Sequence, residues 1–369
     1  MKIVEIRPFL VSRYLLVRVY TDEGLVGNGE AGLWAHHGVV CEQIKELSEY
    51  YVGKDPRLIE HHFQTVSRRA HFMGSALSAA LSAIDVALWD ILGKSVGLPV
   101  YQLLGGKCRD KVKVYGNLGG QTDAEIAAAA RSGLEQGYTA FRMTPFPANF
   151  ELRNATSNIS AGTRMVAAAR AALGDEIDLG IEIHRNLRPE EAITLARELE
   201  PFKIHYCEDP VAPQSVEALE YVARHVNIPL ATGERFYNLY QFKDLIDRQI
   251  VSLIRPDVSL AGGFTQVKKI AALAEAAFVG LFPHLMGTAV NNAAFVQLAA
   301  AIPNYVVMEA NEGASEMVDE PVRLENGYRI VPDKPGIGVE IDEEALAAMP
   351  PYQPMTFAGS VHEDGSVAH

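Results

Sequence analysis

Six residues able to carry charge or move protons recur at nearly constant intervals along the chain: Glu182, Glu208, Glu234, Asp257, His284 and Glu309. Subtracting neighbours gives 26, 26, 23, 27 and 25 residues, about the length of a strand and its return helix. Each stands late in, or just after, a short apolar run. The runs are VKVYGNL, TAFRMTP, LGIEIHRN, IHYCEDP, IPLATGERF, VSLIRPDVS, VGLFPHLMG and YVVMEANEG. Amphipathic stretches such as DAEIAAAARSGLEQG, PEEAITLARELEP and FTQVKKIAALAEAA separate them. Strands alternating with helices mark parallel βα units, and a count of eight favours a closed barrel over an open sheet. In such a barrel every strand ends at one mouth, where catalytic groups gather. Polar residues scattered by chance over strand–loop junctions are the alternative. Three glutamates in consecutive register weigh against it.

Glu182, Glu208 and Glu234 on neighbouring strands can converge on one hard divalent cation, which takes oxygen ligands and keeps positions for water or substrate. Without a cation, three converging carboxylates repel and raise one another's pKa. The bland reading is that each caps a helix or pairs with a lysine. His184 lies two residues beyond Glu182, so on an extended strand both side chains share a face. By the same parity His205 and Cys207 face away from Glu208.

The elements that position these groups fall into two kinds. VEIRPFLVS, YLLVRVYT and LVGNGEAG read as antiparallel strands, with a turn at Asp22-Glu23-Gly24. SALSAALSAIDVALWDILGKSVG then has helical period, closed by Gly97 and Pro99. The chain up to about residue 110 is therefore a small α+β unit. The barrel follows over 111–324, and the turn-rich tail, about 325–369, returns to pack on the first unit. PFPANFELRNATSN lacks helical period and reads as a flexible flap over the mouth.

Hydrophobic residues make up 48% and charged residues 21%, the mix of a globular protein with a large core. The net charge of −13 argues against nucleic acid or an anionic membrane as partner, since both select basic patches. Three dispersed cysteines, Cys41, Cys108 and Cys207, fit a reducing compartment better than a disulfide framework. With neither a signal-peptide pattern nor a long uncharged apolar stretch in view, a cytoplasmic location is expected.

ALWDILGKSVGLPVYQLLGG, CEDP, ATGERF, IRPDVSLAGG, PHLMGTAVNNAA and PGIGVE, in that order, resemble the mandelate racemase and muconate lactonizing branch of the enolase superfamily. The resemblance implies a modified (β/α)8 (TIM-like) barrel, an α+β capping domain built from both termini, and one Mg²⁺ per subunit. The metal positions fall on Glu182, Glu208 and Glu234, with Glu182 in place of the commoner aspartate. Members that use a second-strand lysine carry Lys-x-Lys, whereas this chain has Arg142 and Thr144 there. Arginine stays protonated and is a poor general base. Asp257 and His284 match the family's dyad, in which a carboxylate fixes the imidazole tautomer so that neutral histidine accepts a proton. His184 resembles the histidine of the acid-sugar dehydratases similar to galactonate dehydratase, where it protonates the leaving hydroxyl. Glu309 matches a glutamate that bonds the substrate carboxylate, which a carboxyl kept neutral can do as donor. Trp34 and His36, with His37, lie in a loop where the cap would close the mouth, and Arg142 is a further candidate substrate contact.

The expected activity is Mg²⁺-dependent dehydration of an aldonate to a 2-keto-3-deoxy acid. Racemisation or epimerisation of an α-hydroxy acid is the alternative, and a barrel that only binds an acid is a third reading. The expected partner is a small-molecule carboxylate, with no nucleic acid or membrane, in a homo-oligomer.

Overall fold

The alternation at the start of the chain gives a three-stranded antiparallel sheet of β1 (Ile3–Val11), β2 (Tyr14–Thr21) and β3 (Val26–Glu30). These coordinates are a computed structural model that describes residues 1–310, 313–355 and 359–368. Helices α1 (His37–Tyr51), α2 (Ile59–Arg69) and α3 (Ser75–Val96) follow, and Gly97 ends α3 in the left-handed conformation that relieves its last carbonyls. The alternating glycines of LVGNGEAG have a steric purpose. A Cβ on Gly27 or Gly29 would fall within about 2 Å of the Ala87 or Ala83 carbonyl oxygen, so only glycine lets α3 lie this close to β3. By length and composition α3 could cross a membrane, although Asp85, Asp90 and Lys94 interrupt its apolar run. Most of it is buried between the small sheet and the rest of the protein.

After the short α4 (Val100–Leu103) the parallel units begin. In chain order they are β4 (Lys111–Asn117), α5 (Asp123–Glu135), β5 (Ala140–Met143), α6 (Ala155–Leu173), β6 (Asp178–Glu182), α7 (Pro189–Leu199), β7 (Tyr206–Glu208), α8 (Val216–Ala223), β8 (Leu230–Thr232), α9 (Leu239–Arg248), β9 (Leu253–Ile254), α10 (Gly263–Ala276), β10 (Gly280–Leu281), α11 (Ala289–Ala301) and β11 (Met308–Glu309). Each of the eight runs supplies one strand; of YVVMEANEG, Asn311 and Glu312 lie outside the described residues. β4 to β10 pair in order and in parallel. Leu281 bridges to Tyr305 just ahead of β11, and β11 pairs with β4, so the barrel closes. Tyr115, Tyr206, Leu253, Phe282 and Val307 belong to one buried cluster contributed by its strands.

The tail adds β12 (Leu324–Glu325) and β13 (Tyr328–Ile330), a hairpin on the outer edge of β4, then α12 (Glu343–Ala348). It reaches the first sheet, where Asp90 accepts from the backbone N–H of Asn28 and of Ile337, and Arg18 pairs with Glu343 at 2.7 Å. A capping domain made from both ends of the chain therefore sits on a TIM-like barrel. The joint is polar. Ser78, Ser82, Asp85 and Trp89 on α3 bond to the segment entering α10: Ser78 donates to the Leu260 carbonyl, Gly262 N–H to Ser82, Thr265 N–H to Asp85, and Trp89 Nε1 to Thr265.

The segment read as a flap is partly ordered by its own side chains. Phe146 stacks on Phe150 at 4.7 Å, a 3-10 turn covers Phe150–Leu152, and the Asn154 side chain accepts from Ser157 N–H to start α6. Its final residues, ATSN, are the first turn of that helix, which the polar composition concealed.

Candidate active site

Glu182 and Glu208 are register partners on adjacent parallel strands, and Glu234 follows β8 by two residues across Gly233. One carboxylate oxygen from each lies within 4.8 Å of the others. In an octahedral Mg²⁺ shell with ligands at about 2.1 Å, neighbouring ligands stand about 3 Å apart and opposite ones about 4.2 Å, so this all-oxygen donor set suits such an ion if the three carboxylates draw together around it. Burial, and then the charge of Glu208, push the Glu182 carboxyl well above its ordinary range, as expected of carboxylates crowded without a cation.

Arginines hold the cluster together. Arg142 on β5 donates through Nη1 to Glu182 at 3.0 Å and to both oxygens of Glu208 at 3.1 Å. Arg185 pairs with Glu234 and with buried Asp209, whose other oxygen accepts from the Thr232 hydroxyl at 2.5 Å. Arg255, directly after β9, is fully buried. Its Nε lies 2.8 Å from Glu208, and its Nη2 lies 2.5 Å from Glu309 and 3.5 Å from Glu234. Burial alone would raise the Glu234 carboxyl, but His284, Arg255 and Arg185 outweigh it and hold it far below its usual value.

The dyad is assembled from β9 and β10. His284 Nδ1 is 2.7 Å from Asp257 Oδ2, while Asp257 Oδ1 accepts from the Ser259 hydroxyl at 2.5 Å and its N–H at 2.8 Å. The other ring nitrogen faces the glutamates, with His284 Nε2 4.0 Å from Glu234 Oε2. Burial lowers the His284 pKa, yet Glu234 and then Asp257 raise it to about 9.

His184 belongs to the same mouth by a route the strand parity did not describe. β6 ends at Glu182, and His184 and Arg185 both take left-handed backbone conformations, φ 55° and 70°. The His184 N–H donates to Glu182 Oε1 at 2.8 Å, turning the chain back over the carboxylate. The imidazole is exposed at the mouth. Partial desolvation, then Arg185, lower its pKa, while Glu234 and Glu208 oppose that.

Glu309, at the end of β11, differs from the neutral carboxyl the sequence suggested. Burial favours the neutral form, but Arg142, Arg255 and His284 together hold its pKa below the ordinary value. A carboxylate with two guanidiniums nearby is kept ionised and cannot donate.

The cap meets the dyad at Gly32, where a Cβ would lie about 2 Å from Ser259 Oγ and 3.2 Å from Asp257 Oδ2. Behind it, Glu30 is buried and accepts from the Thr288 hydroxyl, Thr288 N–H and Asn291 N–H, capping α11 of the barrel. Trp34 packs between the Arg13 guanidinium, 5.0 Å away, and the edge of His37. His36 is exposed at the start of α1. His37 turns inward to the Ala31 carbonyl, and burial pushes its pKa down to about 4. The structure therefore gathers Glu182, Glu208, Glu234, Asp257, His284, Glu309, Arg142 and His184 at one mouth and leaves Trp34 and His36 on the cap loop beside it. Sequence reasoning missed Arg255, Arg185, Asp209 and Glu30. Arg255 had a usable signal, since it precedes Asp257 by two residues in a run already placed at a strand end.

The chain is similar to known proteins over its whole length. Residues 6–105 match the mandelate racemase / muconate lactonizing enzyme N-terminal domain, and residues 125–345 match the family described as enolase C-terminal domain-like. The chain is 35% identical to a D-galactonate dehydratase of Variovorax paradoxus and 36% to one of Xanthomonas axonopodis pv. citri, each pair covered end to end. It superposes with a TM-score of 0.93 on an enolase from Pantoea ananatis with bound D-gluconate and Mg, at 30% identity over 100% of this chain and 99% of that one. An enolase from Agrobacterium radiobacter with bound sodium and L-malate gives a TM-score of 0.93 at 29% identity, with both chains fully covered.

Proposed function

The chain belongs to the mandelate racemase / muconate lactonizing enzyme family of the enolase superfamily, and from that premise we propose that it is a Mg²⁺-dependent hydro-lyase of an aldonic acid. The observation that carries the reading is the placement of three convergent carboxylates opposite a His–Asp dyad, with His284 Nε2 4.0 Å from Glu234. Held by Glu182, Glu208 and Glu234, Mg²⁺ would supply Lewis-acid stabilisation of the enediolate charge and offset the Glu234 charge that keeps His284 protonated.

The residues divide the remaining work. His284 takes the C2 proton through Nε2, while Asp257, fixed by Ser259, holds Nδ1 and so the tautomer. Arg142 donates to the substrate carboxylate, and Glu309, paired with Arg142 and Arg255, helps to hold Arg142 in place. His184 gives its proton to the departing C3 hydroxyl, and tautomerisation of the enol yields the 2-keto-3-deoxy acid. The cap loop at Trp34 and His36 selects the substrate. Residues 1–110 and about 325–369 form the cap and 111–324 the barrel, with the tail's first hairpin also lying along barrel strand β4. We place the enzyme in the cytoplasm as a homo-oligomer acting on a small-molecule acid.

Aldonic acids screened with Mg²⁺, with products trapped by semicarbazide, test this directly. Turnover that EDTA abolishes supports the reading, and an inert library refutes it. The two histidines over one cluster also suit α-proton shuttling, the alternative of epimerisation. In D₂O that reaction returns labelled substrate and forms no keto acid.

A further inference from the structure

An ionised carboxylate carries no hydrogen, so Asp257 can only accept. Its 2.5 Å contact with the Ser259 hydroxyl therefore uses that hydroxyl's single proton. Any further polar group that meets Ser259 Oγ must donate to it. The side chain of Asn291 does so, through Nδ2 at 3.2 Å. A line of hydrogen bonds thus joins Asn291 through Ser259 and Asp257 to His284 Nδ1. Asn291, Ser259 and Asp257 are all buried, so bulk water does not compete for these bonds.

Both ends of the Asn291–Ser259 bond are gripped from the cap. Asn291 stands in the first turn of α11, where backbone N–H groups need acceptors from outside the helix. Glu30, at the end of β3, accepts the Asn291 N–H at 3.1 Å and the Thr288 N–H at 2.9 Å. Gly32 N–H donates to the Ser259 carbonyl at 2.9 Å. With both backbones fixed, the amide fills the acceptor side of Ser259 Oγ and leaves the hydroxyl hydrogen directed at Asp257. Without the amide, the hydroxyl is free to turn, and Asp257 loses the contact that fixes its rotamer against the imidazole.

We propose that Asn291 is a positioning residue of the proton-abstracting dyad: its amide orients the Ser259 hydroxyl, which holds Asp257 so that His284 Nε2 stays aimed at the C2 proton. The role rests on the dehydratase reading above, in which His284 is the base. Asn291→Leu tests it, since leucine keeps the size and the backbone N–H to Glu30 and removes the donor. Loss of one buried hydrogen bond should lower kcat about tenfold and leave KM for the aldonate within about twofold. Exchange of the α-proton in D₂O should slow by the same factor, because abstraction is the step affected. Added to Ser259→Ala, the same substitution should lower kcat by no more than about twofold, because the amide then has no hydroxyl to orient. A packing defect alone would act equally in both backgrounds. Asn291→Ala repeats the cycle if the leucine variant does not fold. Full kcat in the single variant, equal losses in both backgrounds, or a loss carried by KM would overturn the positioning role and leave the dehydratase standing. If the wild-type enzyme turns over no aldonate, the function assignment falls, and proton NMR reads the geometry by itself. The downfield Nδ1–H resonance that His284→Asn deletes should shift or broaden in Asn291→Leu, and an unmoved resonance would overturn the role.

Discussion

Arg255→Met should produce an enzyme less stable than the wild type but more responsive to metal. Arg255 is fully buried and touches Glu208 at 2.8 Å, Glu309 at 2.5 Å and Glu234 at 3.5 Å. Methionine fills similar space and removes the charge, which leaves those carboxylates short of a counter-ion. Removing one partner of a buried pair costs about 3–5 kcal/mol, because the remaining charge stays desolvated. For a chain of 369 residues, unfolding entropy of about 2 cal/mol/K per residue turns that into a fall in melting temperature of about 4–7 °C.

The guanidinium and a divalent ion serve the same carboxylates, so removing one strengthens the demand for the other. The rise in melting temperature from EDTA to millimolar Mg²⁺ should therefore be larger in Arg255→Met than in the wild-type protein. Arg255→Lys keeps the charge but cannot reach Glu208 and Glu309 from two edges of one fork, and should melt between the two. Scanning fluorimetry in both buffers measures all of this. Wild-type melting of Arg255→Met in EDTA would show that the guanidinium is not balancing the cluster. An unchanged response to Mg²⁺ would show that the carboxylates it touches are not the metal's.

Three other outcomes follow from the geometry. His284→Asn should abolish exchange of the substrate α-proton and lower kcat by at least about a hundredfold, the scale of a lost general base; exchange surviving in D₂O would remove His284 from that role. His184→Asn should retain exchange while losing keto-acid formation, and loss of both would contradict its assignment to the leaving group. Asp85, buried at the joint between cap and barrel, is raised by desolvation from 3.8 to about 7. An acid whose pKa is raised by folding contributes stability fully present below the unfolded pKa and lost as pH rises through the folded one. Stability should therefore fall by on the order of 4 kcal/mol between pH 4 and pH 7 on account of Asp85 alone. Asp85→Asn should flatten that slope in urea titrations run at several pH values, and an unaltered slope would place the titration elsewhere.

The parts legible in the sequence share one physical origin. A barrel repeats its strand–helix unit, so residues fixed at strand ends repeat with it, and Glu182, Glu208, Glu234, Asp257, His284 and Glu309 stand out by interval alone. What interval cannot carry is the neutralising partner. Arg255 and Arg185 sit among the same strand ends, but arginine is common at surfaces, and only the closed barrel shows one of them buried completely. His184 illustrates a different limit: strand parity brought it to the correct side for the wrong reason, because the strand stops at Glu182 and two left-handed residues reverse the chain there. The cap–barrel joint was readable in principle, since Ser78, Ser82, Asp85 and Trp89 recur at helical spacing on the mostly apolar α3 and form its docking stripe. A polar stripe on an apolar helix ordinarily marks the face toward water. Here it marks the face that bonds to the barrel backbone, a distinction that depends on which surface arrives from elsewhere in the chain and not on the helix itself.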